Sequence, residues 1–349
     1  MSGDAATTVD AAKAESMLAT MRAAGSAGEG DRVTYLEQLE GGWSRHSYAA
    51  RVHHADEDVQ REYIVRARPR ASTLDTDLGR EFRTFALLVD EPVPTPGVHG
   101  CEEAVDTPFD GAYFVMDRMQ GHAPNVWRRP DRAALTEDWD GPRGIATDMV
   151  TYLAAIHAID AGRAAQAAVV RSFAETVDHW QGVYEEHKLV NDPVVDESYA
   201  WVRSRPPDPV APCLVHGDYR IGNTLTRDGR VSAILDWELS SVGDPRFDLG
   251  YMSLDYYAGK FTSPGSPLLG AFADRDWFHE RYAQLTGAPV DTEAVATFAA
   301  IGALMLFAIM TTGLRVYQRG ETSDIRMAWT RFVLPGVRQD LAGLMGWRD

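Results

Sequence analysis

Residues 214–251 read LVHGDYRIGNTLTRDGRVSAILDWELSSVGDPRFDLGY. Cys213–Val215 is an apolar, β-like piece that runs into a tight loop carrying Asp218. Asn223 follows five residues later and opens a hairpin, in which Asn223–Thr226 pairs with Val231–Leu235 across the strong turn dipeptide Asp228-Gly229. Asp236 stands at the far end, directly after Ile234-Leu235. Because the hairpin doubles back, Asn223 and Asp236 are expected at one place. A carboxamide and a carboxylate are hard oxygen donors, which suit Mg²⁺. A carboxylate that orients a hydroxyl, oxygen ligands for a metal, and cationic groups that offset developing charge are the parts phosphoryl transfer needs.

His216-Gly217-Asp218 followed by Asn223 resembles the H-G-D-x-x-x-x-N catalytic loop of the aminoglycoside phosphotransferase/choline kinase superfamily, the counterpart of the protein-kinase H-R-D-x-x-x-x-N loop. Leu235-Asp236-Trp237-Glu238 looks like the metal-binding motif of that superfamily, and Gly243-Asp244-Pro245 with Asp248 looks like the segment that follows it. The HGDYRIGN and GGWSRHSY loops are most similar to phosphotransferases related to the kinase-like domain fused to some acyl-CoA dehydrogenases. The resemblance runs from Val33 to Gly320. It implies an α+β, bilobal protein-kinase-like fold with a small β-rich N-lobe and a large, mainly helical C-lobe. It also implies an ATP- and Mg²⁺-dependent transferase acting on a hydroxyl of a small molecule. Asp218 would be the catalytic base, with Asn223 and Asp236 as the magnesium ligands. Arg220 reads either as a γ-phosphate contact or as the ion-pair partner of a nearby acid. His216 and His157 read as structural hydrogen-bonders, and Asp244 and Asp248 as acids that cap helices and tie down the loop.

The chain divides into an N-terminal extension (1–30), an N-lobe (31–118) and a C-lobe (119–349). The extension is rich in small residues, with a short helix over Ala11–Ala24, and reads as an appendage outside the core. In the N-lobe, Tyr48–His53 and Glu62–Arg68 are β-like runs on either side of the acidic turn Ala55–Asp58. Leu78, Phe82, Phe85, Ala86 and Val89 recur at helical spacing, and Gly111–Met116 is a further apolar strand. The loop at Leu39–Tyr48 resembles a phosphate loop, in which Gly41 and Gly42 would allow close backbone approach and Ser44 or Ser47 would donate.

The family fold usually grips phosphates with a strand lysine, but the only lysines here are Lys13, Lys188 and Lys260. Tyr63-Ile64-Val65-Arg66 places Arg66 in that position, with Arg68 on the same face as the alternative and Glu81 as the expected ion-pair partner. Without that lysine, a catalytically inactive nucleotide-binding pseudokinase is the competing reading. Phe114–Gly121 resembles the interlobe hinge, whose backbone from Asp117 to Met119 would pair with adenine. Candidate substrate-lining residues are Tyr219, Asp255, Tyr256 and Tyr257.

With 51 acidic against 34 basic residues, the net charge is -17, a poor match to nucleic acid or an anionic membrane. The two cysteines, Cys101 and Cys213, lack disulfide or zinc spacing, which suits a cytoplasmic protein. Val295–Leu314 contains no charge and is long enough to span a bilayer. Its Gly302, Thr311, Thr312 and Gly313, and its place after the catalytic motifs, favour a buried core helix, so no membrane partner is expected.

Overall fold

The computed structural model describes residues 9–39, 45–69, 76–137, 144–259 and 268–347. They fall into two compact units. One takes the chain through Val89 together with Thr95–Met119, and the other takes Asp90–Pro94 and Gln120 onward.

The first unit contains α1 (Ala11–Ala23), β1 (Arg32–Gln38), β2 (His46–His54), β3 (Val59–Ala67), α2 (Leu78–Leu88), β4 (Val98–Glu102) and β5 (Tyr113–Asp117). The strands form an antiparallel sheet in the order β1-β2-β3-β5-β4. Asp58, with φ 53°, closes the β2–β3 turn in the left-handed region that Asp tolerates. Asp10 caps α1 through the N–H groups of Ala12 and Lys13.

The appendage reading of the N-terminus is corrected here. Met17, Leu18 and Met21 are buried in one cluster with Tyr48, Val52, Phe109 and Tyr113. The Tyr113 hydroxyl donates to Ser16 O at 2.7 Å and bonds the Thr20 hydroxyl at 2.7 Å. A helix rich in Ala still presents a narrow apolar stripe, and three residues are enough to seat it in this cluster.

The second unit is mainly helical. Its helices are α3 (Arg129–Glu137), α4 (Ile145–His157), α5 (Ala161–Ala164), α6 (Phe173–His187), α7 (Pro193–Arg203), α8 (Arg246–Met252), α9 (Asp255–Ala258), α10 (Arg275–Thr286), α11 (Thr292–Gln318), α12 (Ile325–Trp329) and α13 (Leu334–Leu344). A small sheet joins β6 (Val169–Val170), β10 (Ser241–Gly243) and β7 (Cys213–Val215). The hairpin is β8 (Thr224–Arg227) and β9 (Arg230–Ile234), and its turn holds Asp228 at φ 52° and Gly229 at φ 72°. Positive φ at both central residues is the hairpin geometry that Asp-Gly favours. A short pair, β11 (Leu268–Leu269) and β12 (Ala273–Asp274), precedes α10.

Helix α11 is the axis of this unit. It is long and apolar enough to cross a membrane, yet 89% of its most apolar window is buried inside the protein. It packs against α8, where a Cβ on Gly250 would lie 2.5 Å from Ala299 N. Only glycine allows the two backbones that approach. The charge-free stretch therefore serves as the core of the helical unit.

Candidate active site

The loop that carries Asp218 lies in the second unit, between β7 and the hairpin. Gly217 has φ +84°, and a Cβ there would meet Leu239 O at 2.4 Å, so the residue before Asp218 must be glycine. The fully buried Asp248, on α8, accepts the N–H of His216 at 2.8 Å and that of Gly217 at 2.9 Å. It also bonds His157 Nε2 at 3.1 Å, while His157 Nδ1 bonds the Tyr282 hydroxyl at 2.6 Å. His157 is thus a satisfied core histidine, as read from sequence. Asp244 takes three hydrogen bonds from Arg246 at 2.6–2.9 Å, so it fastens the turn into α8.

His216 fixes the next link. Its Nε2 bonds Leu235 O at 3.0 Å, and its ring lies 4.3 Å from that of Trp237. Leu235 N donates to Asn223 O at 2.8 Å. These bonds bring the two ends of the hairpin side by side, with Asp236 next to the join. Asp236 adopts φ 69°, ψ 57°, a left-handed conformation that is uncommon outside glycine. Strain of this kind persists where surrounding contacts over-determine it. Helix α4 braces the hairpin from behind. Asp148 holds Arg230 at 2.6 and 2.8 Å and Val231 N at 2.9 Å.

Asp218 is held on both oxygens. Arg220 Nε donates to Oδ1 at 2.9 Å, and Asn223 Nδ2 donates to Oδ2 at 2.6 Å and to the Asp218 carbonyl at 2.9 Å. Of the two readings of Arg220, the ion pair is the one present, and its acid is Asp218. Burial disfavours the guanidinium charge, but the adjacent Asp218 carboxylate outweighs this and holds Arg220 firmly protonated. The Tyr257 ring lies 5.5 Å below Arg220, and the Tyr257 hydroxyl donates to that of Tyr251. Burial first, and then the Asp218 charge, push both phenols well above their ordinary range, so they remain neutral donors.

The fit to a metal can be tested on the donor set. Both hydrogen bonds from the Asn223 carboxamide leave through its nitrogen, and its oxygen has no protein donor among the described residues. That leaves the Asn223 carboxamide oxygen as one oxygen donor, and the Leu235 N–H bond to Asn223 O places the Asp236 backbone one residue from it. Among the described residues no three His, Cys, Asp or Glu side chains converge on one point. Magnesium commonly takes only one or two protein ligands and completes its shell with water and substrate phosphates, so a two-residue set fits.

In the first unit, Arg66 Nε lies 2.6 Å from Glu81 Oε1, and both side chains are largely buried. Arg66 on β3, rather than Arg68, is the arginine paired with Glu81. Sequence reading missed a second partner. Arg45 Nε lies 3.3 Å from Glu81 Oε2, and its Nη2 bonds the Thr76 hydroxyl at 2.6 Å. Two guanidinium groups therefore share the Glu81 carboxylate. Gly41, Gly42 and Ser44 lie outside the described residues. At the hinge, Asp117 N–H donates to Gly97 O at 2.9 Å and Arg118 N–H to Glu62 O at 3.1 Å, so both are committed to the sheet. Of the two proposed adenine-contacting residues, Met119 is the one whose backbone N–H is unbonded among the described residues.

The expected substrate lining is corrected at two positions. Tyr219 is buried and donates to Met149 O at 2.8 Å, so it is a core residue that ties the loop to α4. Asp255 lines a cavity that contains none of the loop residues. Tyr256 packs its ring 5.1 Å from that of Trp127, an exposed aromatic not foreseen from sequence.

The profile of the phosphotransferase enzyme family matches residues 36–287. Mouse acyl-CoA dehydrogenase family member 10 is 29% identical over 69% of this chain and 22% of its own length. Rat family member 11 is 31% identical over 56% of this chain and 25% of its own length. The chain therefore spans about a quarter of the length of these curated relatives. Aminoglycoside phosphotransferase APH(4)-Ia, solved in ternary complex with AMP-PNP and hygromycin B, shares the fold. It superposes with TM-score 0.57 at 17% identity, over 89% of this chain and 95% of that one. The N-terminal β-sheet unit and larger helical unit match the kinase-like fold of such enzymes, and the chain belongs to the phosphotransferase enzyme family.

Proposed function

We propose that this chain transfers the γ-phosphoryl group of ATP to a hydroxyl of a small molecule, with magnesium as the metal. The observation that carries this reading is the Asp218 carboxylate, oriented by Arg220 and Asn223 in a loop whose hairpin joins at the Leu235 N–H bond to Asn223 O, one residue before Asp236. Each carboxylate oxygen keeps a further lone pair for the acceptor hydroxyl. Asp218 would orient that hydroxyl and take its proton as the new P–O bond forms and the bond from the γ-phosphorus to the bridging oxygen breaks, releasing ADP. Arg220, clamped to Asp218, holds the carboxylate in one orientation and keeps positive charge at the loop. Asn223 and Asp236 would hold magnesium, which when bound neutralises phosphate charge. Arg66, pre-set by Glu81, would supply bidentate donors to phosphate in place of the usual lysine. The missing lysine, the one feature favouring a protein without turnover, is thereby offset. The small-molecule acceptor is supported by family membership and by the hygromycin B complex of the structural neighbour.

The test is calorimetric titration of ATP with and without Mg²⁺, on the wild type and on Asp236→Asn. Magnesium-dependent affinity in the wild type that the substitution weakens supports the reading. An equal magnesium response in both proteins would remove Asp236 from it.

A further inference from the structure

Trp127 is 44% exposed, and its ring lies 5.1 Å from that of Tyr256 on α9. The pair stands beside the loop that carries Asp218. The segment leading to Trp127 runs between two glycines. A Cβ on Gly222, within the loop, would lie 3.8 Å from Pro124 O, and one on Gly259, at the end of α9, would lie 2.8 Å from Val126 O. Pro124 and Val126 are buried while Asn125 and Trp127 are exposed, so the segment presents the indole to solvent. A line of contacts joins this indole to the carboxylate. Arg220 holds Asp218 at 2.9 Å and lies over the Tyr257 ring at 5.5 Å, and the Tyr257 and Tyr256 rings are 5.2 Å apart. Exposure rises along the line, from buried Tyr257 through half-buried Tyr256 to Trp127.

The side chains of Trp127 and Tyr256 make no hydrogen bond among the described residues; the bonds they do make there run from their backbone N–H groups to Asn125 and Asp340. Two aromatic faces, partly in water and beside a reacting group, gain from being covered by an apolar ligand. Burial raises the Tyr256 phenol, and the charges of Arg220 and Asp218 then act on it in opposite senses. A charge of either sign on a ligand would thus meet one partner and one opponent there. Arg128 and Arg129, both exposed, follow Trp127 directly and make the shelf a poorer place still for a cation. We infer that Trp127 and Tyr256 form an aromatic shelf that binds the uncharged, apolar body of the acceptor alcohol while its hydroxyl reaches Asp218. The inference rests on the phosphotransfer reading above, and it makes Trp127 a specificity-determining residue for the acceptor.

Titration calorimetry on the full chain with Mg²⁺ and AMP-PNP tests this, using alcohols that share a hydroxyethyl arm and differ in the body it carries: 2-(2-naphthyl)ethanol, choline and 2-hydroxyethanesulfonate. The naphthyl alcohol should bind saturably and at least about tenfold more tightly than either charged alcohol. Trp127→Ala should weaken its binding about three- to tenfold, the scale of an aromatic pair, and Trp127→Phe should restore most of the loss. Because Trp127 is exposed, neither variant puts folding at risk. A naphthyl alcohol bound no more tightly than the charged alcohols, or bound equally by Trp127→Ala, would overturn the inference. Transfer of labelled γ-phosphate from ATP to the same alcohols separates this failure from that of the reading beneath it. Transfer that favours a charged alcohol would overturn the inference and leave the phosphotransfer reading standing. Trp127-dependent binding with no transfer to any alcohol would count against the phosphotransfer reading, and would remove the acceptor role of the shelf with it.

Discussion

The carboxylate of Asp248 accepts the backbone N–H of His216 at 2.8 Å, across 32 residues of sequence. That bond, with its companion to Gly217, makes the α8 helix the template on which the reaction loop is formed. The loop's shape is therefore a property of the helical core, transmitted by one buried acid.

Asp248→Asn would turn an amide N–H₂ toward two backbone N–H groups or toward His157. The folded state should lose about 3 kcal/mol, the scale for unbalancing a buried, hydrogen-bonded charge. Turnover should fall while nucleotide affinity is retained. Urea unfolding together with kinetics checks this, and unchanged stability would mean that the loop is held by other contacts.

Arg45 and Arg66 share Glu81 but should answer differently to substitution. Arg45 is almost fully buried and also bonds Thr76, so Arg45→Met should act mainly on stability, by about 3 kcal/mol. Arg66 is slightly more exposed, and Arg66→Ala should weaken ATP binding by about tenfold or more, the scale of one charge-assisted hydrogen bond. Arg68→Ala should have the smaller effect on ATP affinity. Thermal unfolding and ATP titration on the three variants separate these effects, and a larger loss of affinity in Arg68→Ala would transfer the phosphate role to that residue.

His279 gives a pH signature of known sign. Burial depresses its folded-state pKa below the unfolded value of 6.5. Below that pH the unfolded chain binds a proton that the folded chain refuses, so stability falls as pH drops. Urea unfolding at pH 7 and pH 5.5 should show a larger loss for the wild type than for His279→Gln. Parallel losses would mean that the imidazole is not held neutral by the fold.

The reaction loop was legible because its chemistry is contiguous. The turn dipeptide, the alternating strands and the spacing of Asp218, Asn223 and Asp236 are local features, and the structure realises the hairpin within one residue of its expected limits. The residues that lay hidden depend on distant partners. Arg45 reads as an ordinary basic residue after a glycine pair until α2 brings Glu81 against it. Met17 and Met21 lie among alanines, and nothing nearby in sequence announces that Phe109 and Tyr113 will cover them. Tyr219 follows Asp218 directly, which suggested a pocket wall. Its side chain instead turns into α4, where the Met149 carbonyl satisfies its hydroxyl. Asp255 and Tyr257 share one short helix but face different surroundings, a distinction that two residues of sequence spacing do not reveal.

The central claim is that Asp218 orients and deprotonates an acceptor hydroxyl. It is tested most directly by following transfer of labelled γ-phosphate from ATP to a panel of hydroxylated small molecules, with the wild type and Asp218→Ala side by side. A phosphorylated product from the wild type, reduced at least about a hundredfold in the variant while ATP affinity holds, is the predicted result. Undiminished product from Asp218→Ala would contradict the account.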